Sequence, residues 1–262
     1  MTAATVGMPT RMRESGYDFY APFAQGPSFA ADVARLAADY QSARPFPHIV
    51  LDGFFAPDVL RAVVAEIPSP LHEPERLFRR HEAGLTHGKF AFRDVPALGP
   101  ASISLINTLN SKPFVEFLSV LAGIRGLIPD PYLEGGGFHQ IVRAGMLHVH
   151  ADFNIHPIMR TYRRLNLLVY LNEGWQPEWG GALELWPQAM NAAARSIAPL
   201  FNRVVIFNTT QTSYHGHPEP LACPPDVVRR SLALSYYAMH SHDVVEHSTL
   251  WKQRPNDASA AT

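Results

Sequence analysis

Residues 138–154 read FHQIVRAGMLHVHADFN, and this stretch decides the fold. Its two apolar runs, FHQIVR and MLHVHAD, have the composition that is typical of β-strands. Alternate side chains of an extended strand point to the same face, which places His148, His150 and Asp152 together. This alternation favours either a metal site or a polar face on a half-buried strand.

Further strand-like runs follow, separated by Gly, Pro and Asn. They are RRLNLLVYLN (163–172), GALELW (181–186), RVVIFN (203–208), TSYHGH (212–217) and RRSLALSYYAM (229–239). Seven or eight strands of this kind after a helical lead-in predict an α+β fold with a mainly β core. We expect an antiparallel barrel or sandwich that is covered by helices.

The first third of the chain shows helical periodicity in three places. The predicted helices are FAADVARLAADY (29–40) with Ser28 as a candidate cap, APDVLRAVVAEI (56–67), and SKPFVEFLSVLAGI (111–124) with Ser111 as the cap. A short apolar strand lies between the first two, in PHIVLDGFF (47–55). The lead-in is therefore mainly helical.

Residues 72–94 are rich in charge and histidine and have no clear periodicity. Such a segment predicts an exposed loop, and its position makes it a candidate lid. Arg79, Arg80 and Arg93 are its candidate contacts to a substrate.

Composition limits the class of protein. The chain has 262 residues, of which 47% are hydrophobic and 17% charged, which is enough for one sizeable core. We expect a single domain over 1–262, with a lead-in at 1–134, a core at 135–240 and a C-terminal tail at 241–262. The formal net charge of -1 gives no electrostatic reason to expect nucleic acid or an anionic membrane as a partner.

Cysteine usage and hydropathy bear on the compartment. Cys223 is the one cysteine, which excludes an intramolecular disulfide and fits a reducing environment. No apolar run has the length of a signal peptide or of a membrane span. These features predict a cytoplasmic protein.

The alternating histidines and aspartate have a specific chemical interpretation. Two imidazoles and one carboxylate on one face of Fe(II) leave the opposite face open, which is the arrangement of non-haem iron oxygenases. His150 and Asp152 supply two ligands from one strand end, and the third must come from a distant strand. TSYHGH offers His215 and His217 for that position.

An arginine follows the distal histidines by about fourteen residues. In RRSLALSYY, Arg229 shares a strand face with Ser231, and Arg230 shares the other face with Leu232. An arginine deeper in the barrel would grip a carboxylate through a bidentate pair. A dicarboxylate that spans the metal and this arginine is what 2-oxoglutarate would be.

Alternatives remain at each position. A shell of His148 and His150 would indicate a cupin, but Gly145 lies too close to the histidines and Asn154 stands where the cupin glutamate belongs. Pro218 follows His217 and indicates that the strand is ending there, which favours His215. Pairing with Ser231 favours Arg229 over Arg230. Trp175, Trp179 and Trp186 are candidates for an aromatic substrate wall, with core packing as the favoured role.

The order of these motifs resembles the Fe(II)/2-oxoglutarate-dependent dioxygenases, and more narrowly their prolyl 4-hydroxylase-like branch. The motifs are HxD at 150–152, RxLNLLVYLN at 163–172, WGGxLELW at 179–186, FNTTxxSYHG at 207–216 and RRSLALSYY at 229–237. The resemblance covers residues 136–238. It implies a double-stranded β-helix, also called a jelly-roll barrel, with supporting N-terminal helices.

The resemblance also implies roles for individual residues. His150, Asp152 and His215 correspond to the iron ligands at the catalytic centre. Arg229 corresponds to the partner of the distal carboxylate of 2-oxoglutarate, with Ser231 assisting it.

Two residues on the 163–172 strand correspond to a second hydrogen-bonding pair around the co-substrate. They are Tyr170 and Asn166. Asn166 stands where threonine is common in this branch, and this departure puts its role in doubt.

The implied cofactors are Fe(II), 2-oxoglutarate and O2, with ascorbate as a candidate reductant for the iron. The implied reaction hydroxylates an unactivated C–H bond of an amino acid, a peptidyl residue or a small metabolite, and releases succinate and CO2. Asp152 favours hydroxylation over halogenation, because related halogenases carry a small residue in its place. The rival hypotheses are a cupin-type metal enzyme that does not use 2-oxoglutarate and a non-catalytic binding protein on the same barrel. The sequence does not determine the oligomeric state.

Overall fold

The computed structural model describes residues 29–82, 85–240, 245–255 and 257. The helices are α1 (Phe29–Ser42), α2 (Pro57–Glu66), α3 (Pro100–Leu109) and α4 (Lys112–Ala122). The strands are β1 (His48–Asp52), β2 (Phe78–Glu82), β3 (Thr86–Phe92), β4 (Ile128–Pro129), β5 (Gly137–Ala151), β6 (Tyr162–Tyr170), β7 (Leu183–Trp186), β8 (Arg195–Ile197), β9 (Arg203–Asn208), β10 (Tyr214–His217), β11 (Arg229–Ala238) and β12 (Leu250–Trp251). Short 3-10 turns cover Pro74–Arg76, Val95–Ala97 and Pro177–Trp179.

The strands form one antiparallel sheet in the order β1-β9-β6-β11-β5-β10-β7-β8. β5 is its centre: the first half of this 15-residue strand pairs with β11, and the second half pairs with β10. Because one strand serves both halves, the sheet curls into a half-barrel with helices against it. The predicted α+β fold and double-stranded β-helix are confirmed.

Period-two alternation divides the barrel strands between two environments. On β6, Leu165 and Leu167 are buried in the main apolar core, where they pack with helix residues such as Leu118. Asn166 and Tyr170, which have the opposite parity on the same strand, face the interior pocket of the barrel. The same sequence alternation that builds the core therefore also lines the pocket with polar side chains.

Residues 72–94 are not an exposed loop, and that prediction is wrong. Within this segment residues 78–82 and 86–92 form the antiparallel strands β2 and β3, and β3 pairs with β5 along its length. Phe92 is buried in the main core, whereas Lys89 is buried against the pocket. Lysine on the pocket face hides the strand alternation, which explains why the sequence pattern was unclear.

The three arginines proposed as substrate contacts have separate outcomes. Arg93 pairs with Glu134 at 3.2 Å between Nη1 and Oε2, and its guanidinium lies over the ring of Phe78. The side chains of Arg79 and Arg80 lie outside the described residues, as does the candidate cap Ser28. Arg93 is thus occupied at the surface.

The helix predictions over 29–40, 56–67 and 111–124 are confirmed, and α3 was not predicted. Ser111 holds the N-cap position of α4, and its hydroxyl donates to the carbonyl of Thr108 at 2.7 Å. The α4 helix ends at Gly123, whose φ of 68° is the left-handed conformation that glycine adopts readily. None of the helices in the described residues combines the length and the apolar character needed to cross a membrane.

Candidate metal centre and co-substrate pocket

Two neighbouring strands bring together the predicted metal ligands. His150 near the end of β5 lies directly opposite His215 on β10 in the antiparallel register. Asp152 follows β5 by one residue, and its Oδ1 and Oδ2 lie 3.6 Å from Nε2 of His150 and of His215 respectively. One ligand atom from each of the three residues lies within 4.8 Å of the other two. The side chains therefore converge on one point.

The backbone orients both imidazoles. Nδ1 of His150 lies 2.8 Å from the carbonyl of His148, and Nδ1 of His215 lies 2.9 Å from the carbonyl of Ser213. An Nδ1–H that donates to a carbonyl leaves the Nε2 lone pair free to face the cluster. Burial lowers the pKa of His215 to about 4, and the charge on His150 acts in the same direction. His215 is therefore neutral at pH 7, as a metal ligand must be.

Asp152 is held by two side chains of β6. Asn166 donates from Nδ2 to Oδ2 of Asp152 at 2.7 Å, and Nη1 of Arg163 lies 3.4 Å from Oδ1. Arg163 also donates from Nε to the amide oxygen of Asn166 at 3.0 Å. Burial raises the pKa of Asp152, but Arg163 and the two histidines outweigh it and hold this pKa well below its usual range. The carboxylate is thus ionised and fixed in direction.

This donor set fits a divalent iron ion. Two imidazoles and an ionised carboxylate on converging strands match the facial triad that leaves coordination positions open. His148 is half-buried and contributes its backbone carbonyl to His150, with its side chain outside the cluster. The geometry therefore favours Asp152 over His148 as the third member.

Arg229 lies in the same pocket and is almost fully buried. It donates from Nε to the carbonyl of Gly181 at 2.8 Å and from Nη2 to the hydroxyl of Tyr170 at 3.4 Å. Burial lowers the pKa of Arg229, and no carboxylate of the described residues pairs with it. A buried cation without an acid is costly unless an anion joins it, so this end of the pocket suits a carboxylate.

The remaining predicted residues lie at two different places. Ser231 is buried in the pocket and lies opposite Tyr170 in the β11–β6 register, so both are beside Arg229. Asn166 lies at the metal end, on Asp152. Arg230 points to the other face of the sheet, where its Nε donates to Gln140 at 3.1 Å.

Several pocket residues were missed from the sequence. Lys89 comes from β3, and Arg163 is the second residue of β6. Trp251 comes from β12, which pairs with the end of β5 inside the predicted tail, and its ring lies 5.0 Å from that of His150. Trp175, Trp179 and Trp186 pack in small apolar clusters away from the pocket, as favoured.

His217 also faces the pocket, although it is not one of the three converging side chains. Burial lowers its pKa well below the usual range, and Arg229 is the strongest of the charges that act in the same direction. His217 is therefore neutral and lies within the field of Arg229.

Comparison with known proteins agrees with this geometry. Residues 136–238 match the family model of the 2OG-Fe(II) oxygenase superfamily. No curated protein matches the chain. Similar solved structures include a Pseudomonas putida prolyl-4-hydroxylase, with a TM-score of 0.52 and 17% identity over 80% of this chain and 100% of that one. They also include a Trichoplax adhaerens prolyl hydroxylase in complex with a hypoxia inducible factor peptide fragment, with a TM-score of 0.55 and 16% identity over 81% and 94%.

A third similar structure is the non-haem α-ketoglutarate-dependent carbocyclase SnoK from nogalamycin biosynthesis. Its TM-score is 0.57, with 14% identity over 89% of this chain and 92% of that one. At such identities the likeness is one of fold.

Residues 136–238, which carry the three converging side chains and Arg229, are similar to the 2OG-Fe(II) oxygenase superfamily. Two prolyl hydroxylases are among the structures of similar fold, in agreement with the predicted likeness to the prolyl 4-hydroxylase-like branch at the level of the fold. The predicted cofactors Fe(II), 2-oxoglutarate and O2 are those of this family.

Proposed function

We propose that this enzyme hydroxylates an unactivated C–H bond and that His150, Asp152 and His215 hold its iron. One observation carries the proposal: two imidazoles and an ionised carboxylate converge at one end of a pocket, and the other end holds a buried arginine that no carboxylate of the described residues pairs with. An oxygenase that uses a dicarboxylate co-substrate requires both ends. A binding protein requires neither in this combination.

The chain's own residues supply position and charge. Iron, when bound, supplies the oxidative decarboxylation of 2-oxoglutarate by O2 to succinate and CO2, which is coupled to oxidation of the substrate. Asp152 remains ionised through its contacts to Arg163 and Asn166 and would bind the metal through its carboxylate. With iron bound, Asp152 would fill the position that a halide would need, which supports hydroxylation over halogenation.

Arg229 would pair with the distal carboxylate of 2-oxoglutarate. Its side chain lines the pocket, with Nε fixed on Gly181 and Nη2 on the hydroxyl of Tyr170. Tyr170 and Ser231 flank it and would donate to the same carboxylate. In a buried site such charge-assisted hydrogen bonds are strong, and they also set the direction in which the co-substrate lies.

The substrate would be an amino acid, a peptidyl residue or a small metabolite. The similar structures include one with a bound peptide and one named as a carbocyclase, so this fold accommodates both kinds of substrate. On this chain Trp251 lies next to His150 and Thr249 lines the same pocket, which makes both candidate substrate contacts.

Organisation and location complete the proposal. We place the lead-in at 1–134, the catalytic core at 135–240 and the C-terminal segment at 241–262 within one domain. The main apolar core, which joins helix and strand residues, supports this arrangement. A cytoplasmic location is supported by the single cysteine.

The test is formation of succinate from 2-oxoglutarate. Purified protein with Fe(II), O2 and ascorbate is expected to release succinate, slowly without substrate and faster when a panel of amino acids, peptides and metabolites includes the right one. Asp152→Ala is the matched control and should release none. Equal release from both proteins, or none from either, would contradict the proposal.

A further inference from the structure

His217 is a buried polar side chain that belongs neither to the proposed iron ligands nor to the contacts of Arg229 given above. Only 3% of its surface is exposed. Both ring nitrogens are fully buried, and neither has a hydrogen-bond partner among the residues that the structure describes. Buried polar groups are almost always paired, so two orphan nitrogens on one ring indicate that a partner enters the pocket.

The backbone directs this ring into the pocket. Gly216 precedes it, and a Cβ at that position would lie 2.8 Å from the carbonyls of His148 and Leu147. Glycine therefore allows β10 to approach β5 closely. The register between these strands shifts between His215 and His217, an irregularity of the kind that changes the direction of a side chain.

The strand register places His217 at the Arg229 end. Gly216 pairs with Glu184 on β7, so the next residue pair sets His217 beside Leu183. Two residues before Leu183 lies Gly181, whose carbonyl accepts the hydrogen bond from Arg229. His217 thus flanks the Arg229 end of the co-substrate pocket and lies two residues after the proposed ligand His215.

We propose that His217 is a co-substrate-binding residue whose ring N–H donates to the distal carboxylate of 2-oxoglutarate beside Arg229. A neutral imidazole offers one donor, and a carboxylate has about four acceptor positions, more than Arg229 alone fills. An anion is the partner that the adjoining guanidinium favours. This inference rests on the proposed function and assigns it one further contact.

The test compares His217→Leu with His217→Gln. Leucine removes both ring nitrogens at similar volume, whereas glutamine retains a donor. Titration calorimetry of Mn(II)-loaded protein without turnover measures the Kd of 2-oxoglutarate directly. His217→Leu should weaken binding about 10- to 100-fold, as expected for loss of a hydrogen bond to a charged group, and His217→Gln should restore most of it.

Two controls accompany the variants. His148→Leu makes the same change on the neighbouring strand at a half-buried residue outside the pocket, and it should leave this Kd unchanged. 2-Oxobutyrate, which has no distal carboxylate, should bind wild type and His217→Leu equally weakly. Mn(II) affinity should be the same in all proteins.

The outcomes separate the two proposals. An unchanged Kd in His217→Leu, or equal weakening for 2-oxobutyrate, overturns the assignment of His217. Equal loss in the leucine and glutamine variants also overturns it, because the donor would then not be what matters. Failure of wild type to bind 2-oxoglutarate overturns the proposed function itself.

Discussion

Asn166 donates a hydrogen bond of 2.7 Å from its Nδ2 to Oδ2 of Asp152. Its amide oxygen accepts from Arg163 and from the hydroxyl of Ser235, so the amide is fixed on both sides. The resemblance implied a contact between Asn166 and the co-substrate, whereas the structure places it on a proposed iron ligand. Its effect is therefore expected on metal binding first.

Replacing Asn166 by leucine should weaken Fe(II) binding about 10- to 100-fold, the usual effect of removing an outer partner of a metal ligand. The cause is the loss of the donor that holds Asp152 in direction. Competition with a chromophoric chelator measures the affinity. Asn191→Leu, at an exposed asparagine, is the control and should behave as wild type. Equal affinities in both variants would remove this role from Asn166.

Replacing Asp152 by alanine should abolish stoichiometric iron binding, because the remaining histidines provide two ligands and no negative charge. His148→Ala should retain binding, since only the backbone carbonyl of His148 contacts His150. Metal content after dialysis measures both. Equal loss of iron in the two variants would contradict the choice of Asp152 as a ligand.

Replacing Arg229 by leucine should raise the Kd of 2-oxoglutarate by about 30-fold or more, as expected when one partner of a buried charge pair is removed. Arg230→Leu is the neighbouring control, because its guanidinium contacts Gln140 on the other face of the sheet. Titration of the metal-loaded protein measures both. A larger effect from Arg230 would show that the other face holds the co-substrate.

Metal binding should quench tryptophan fluorescence, because the ring of Trp251 lies 5.0 Å from that of His150. Trp251→Phe should lose most of the quenching that Fe(II) produces in wild type. Trp179→Phe, which packs on Trp175 away from the pocket, should keep it. Quenching that persists in Trp251→Phe would contradict the position of β12 beside His150.

The β2–β3 hairpin should contribute to the free energy of unfolding, whereas a loosely attached lid would contribute little. Phe92→Ala removes a ring that is 3% exposed in the main core and should lower the free energy of unfolding by about 3–5 kcal/mol. Phe78→Ala, at a ring that is 56% exposed, should change it by less than about 1 kcal/mol. Denaturant titration measures both. Equal, small effects would support a loosely attached segment.

The strands of the barrel were predicted because the alternation of apolar and polar residues is a local feature. The converging triad was predicted from the order of the motifs along the chain. Arg163 was missed for a physical reason. The β11–β6 register shifts between Tyr236 and Tyr237, so Arg163, which has the parity of the core-facing Leu165, lies on the pocket side instead. A bulge of this kind is not visible as a change in alternation.

Other omissions arise from tertiary pairing. Lys89 occupies a buried strand position where the pattern predicts an apolar residue, so β3 resembled a loop. β12 has two residues, and its pairing with β5 places it over His150. Pairing between distant segments of the chain, and not local propensity, forms both elements.

The central claim is that one pocket holds iron at the His150 end and 2-oxoglutarate between it and Arg229. The most direct measurement is the visible absorption spectrum of the Fe(II)-loaded protein as 2-oxoglutarate is added without oxygen. We predict a new charge-transfer band that saturates at one equivalent and is absent in Asp152→Ala. A spectrum that does not change in the wild-type protein would contradict the account.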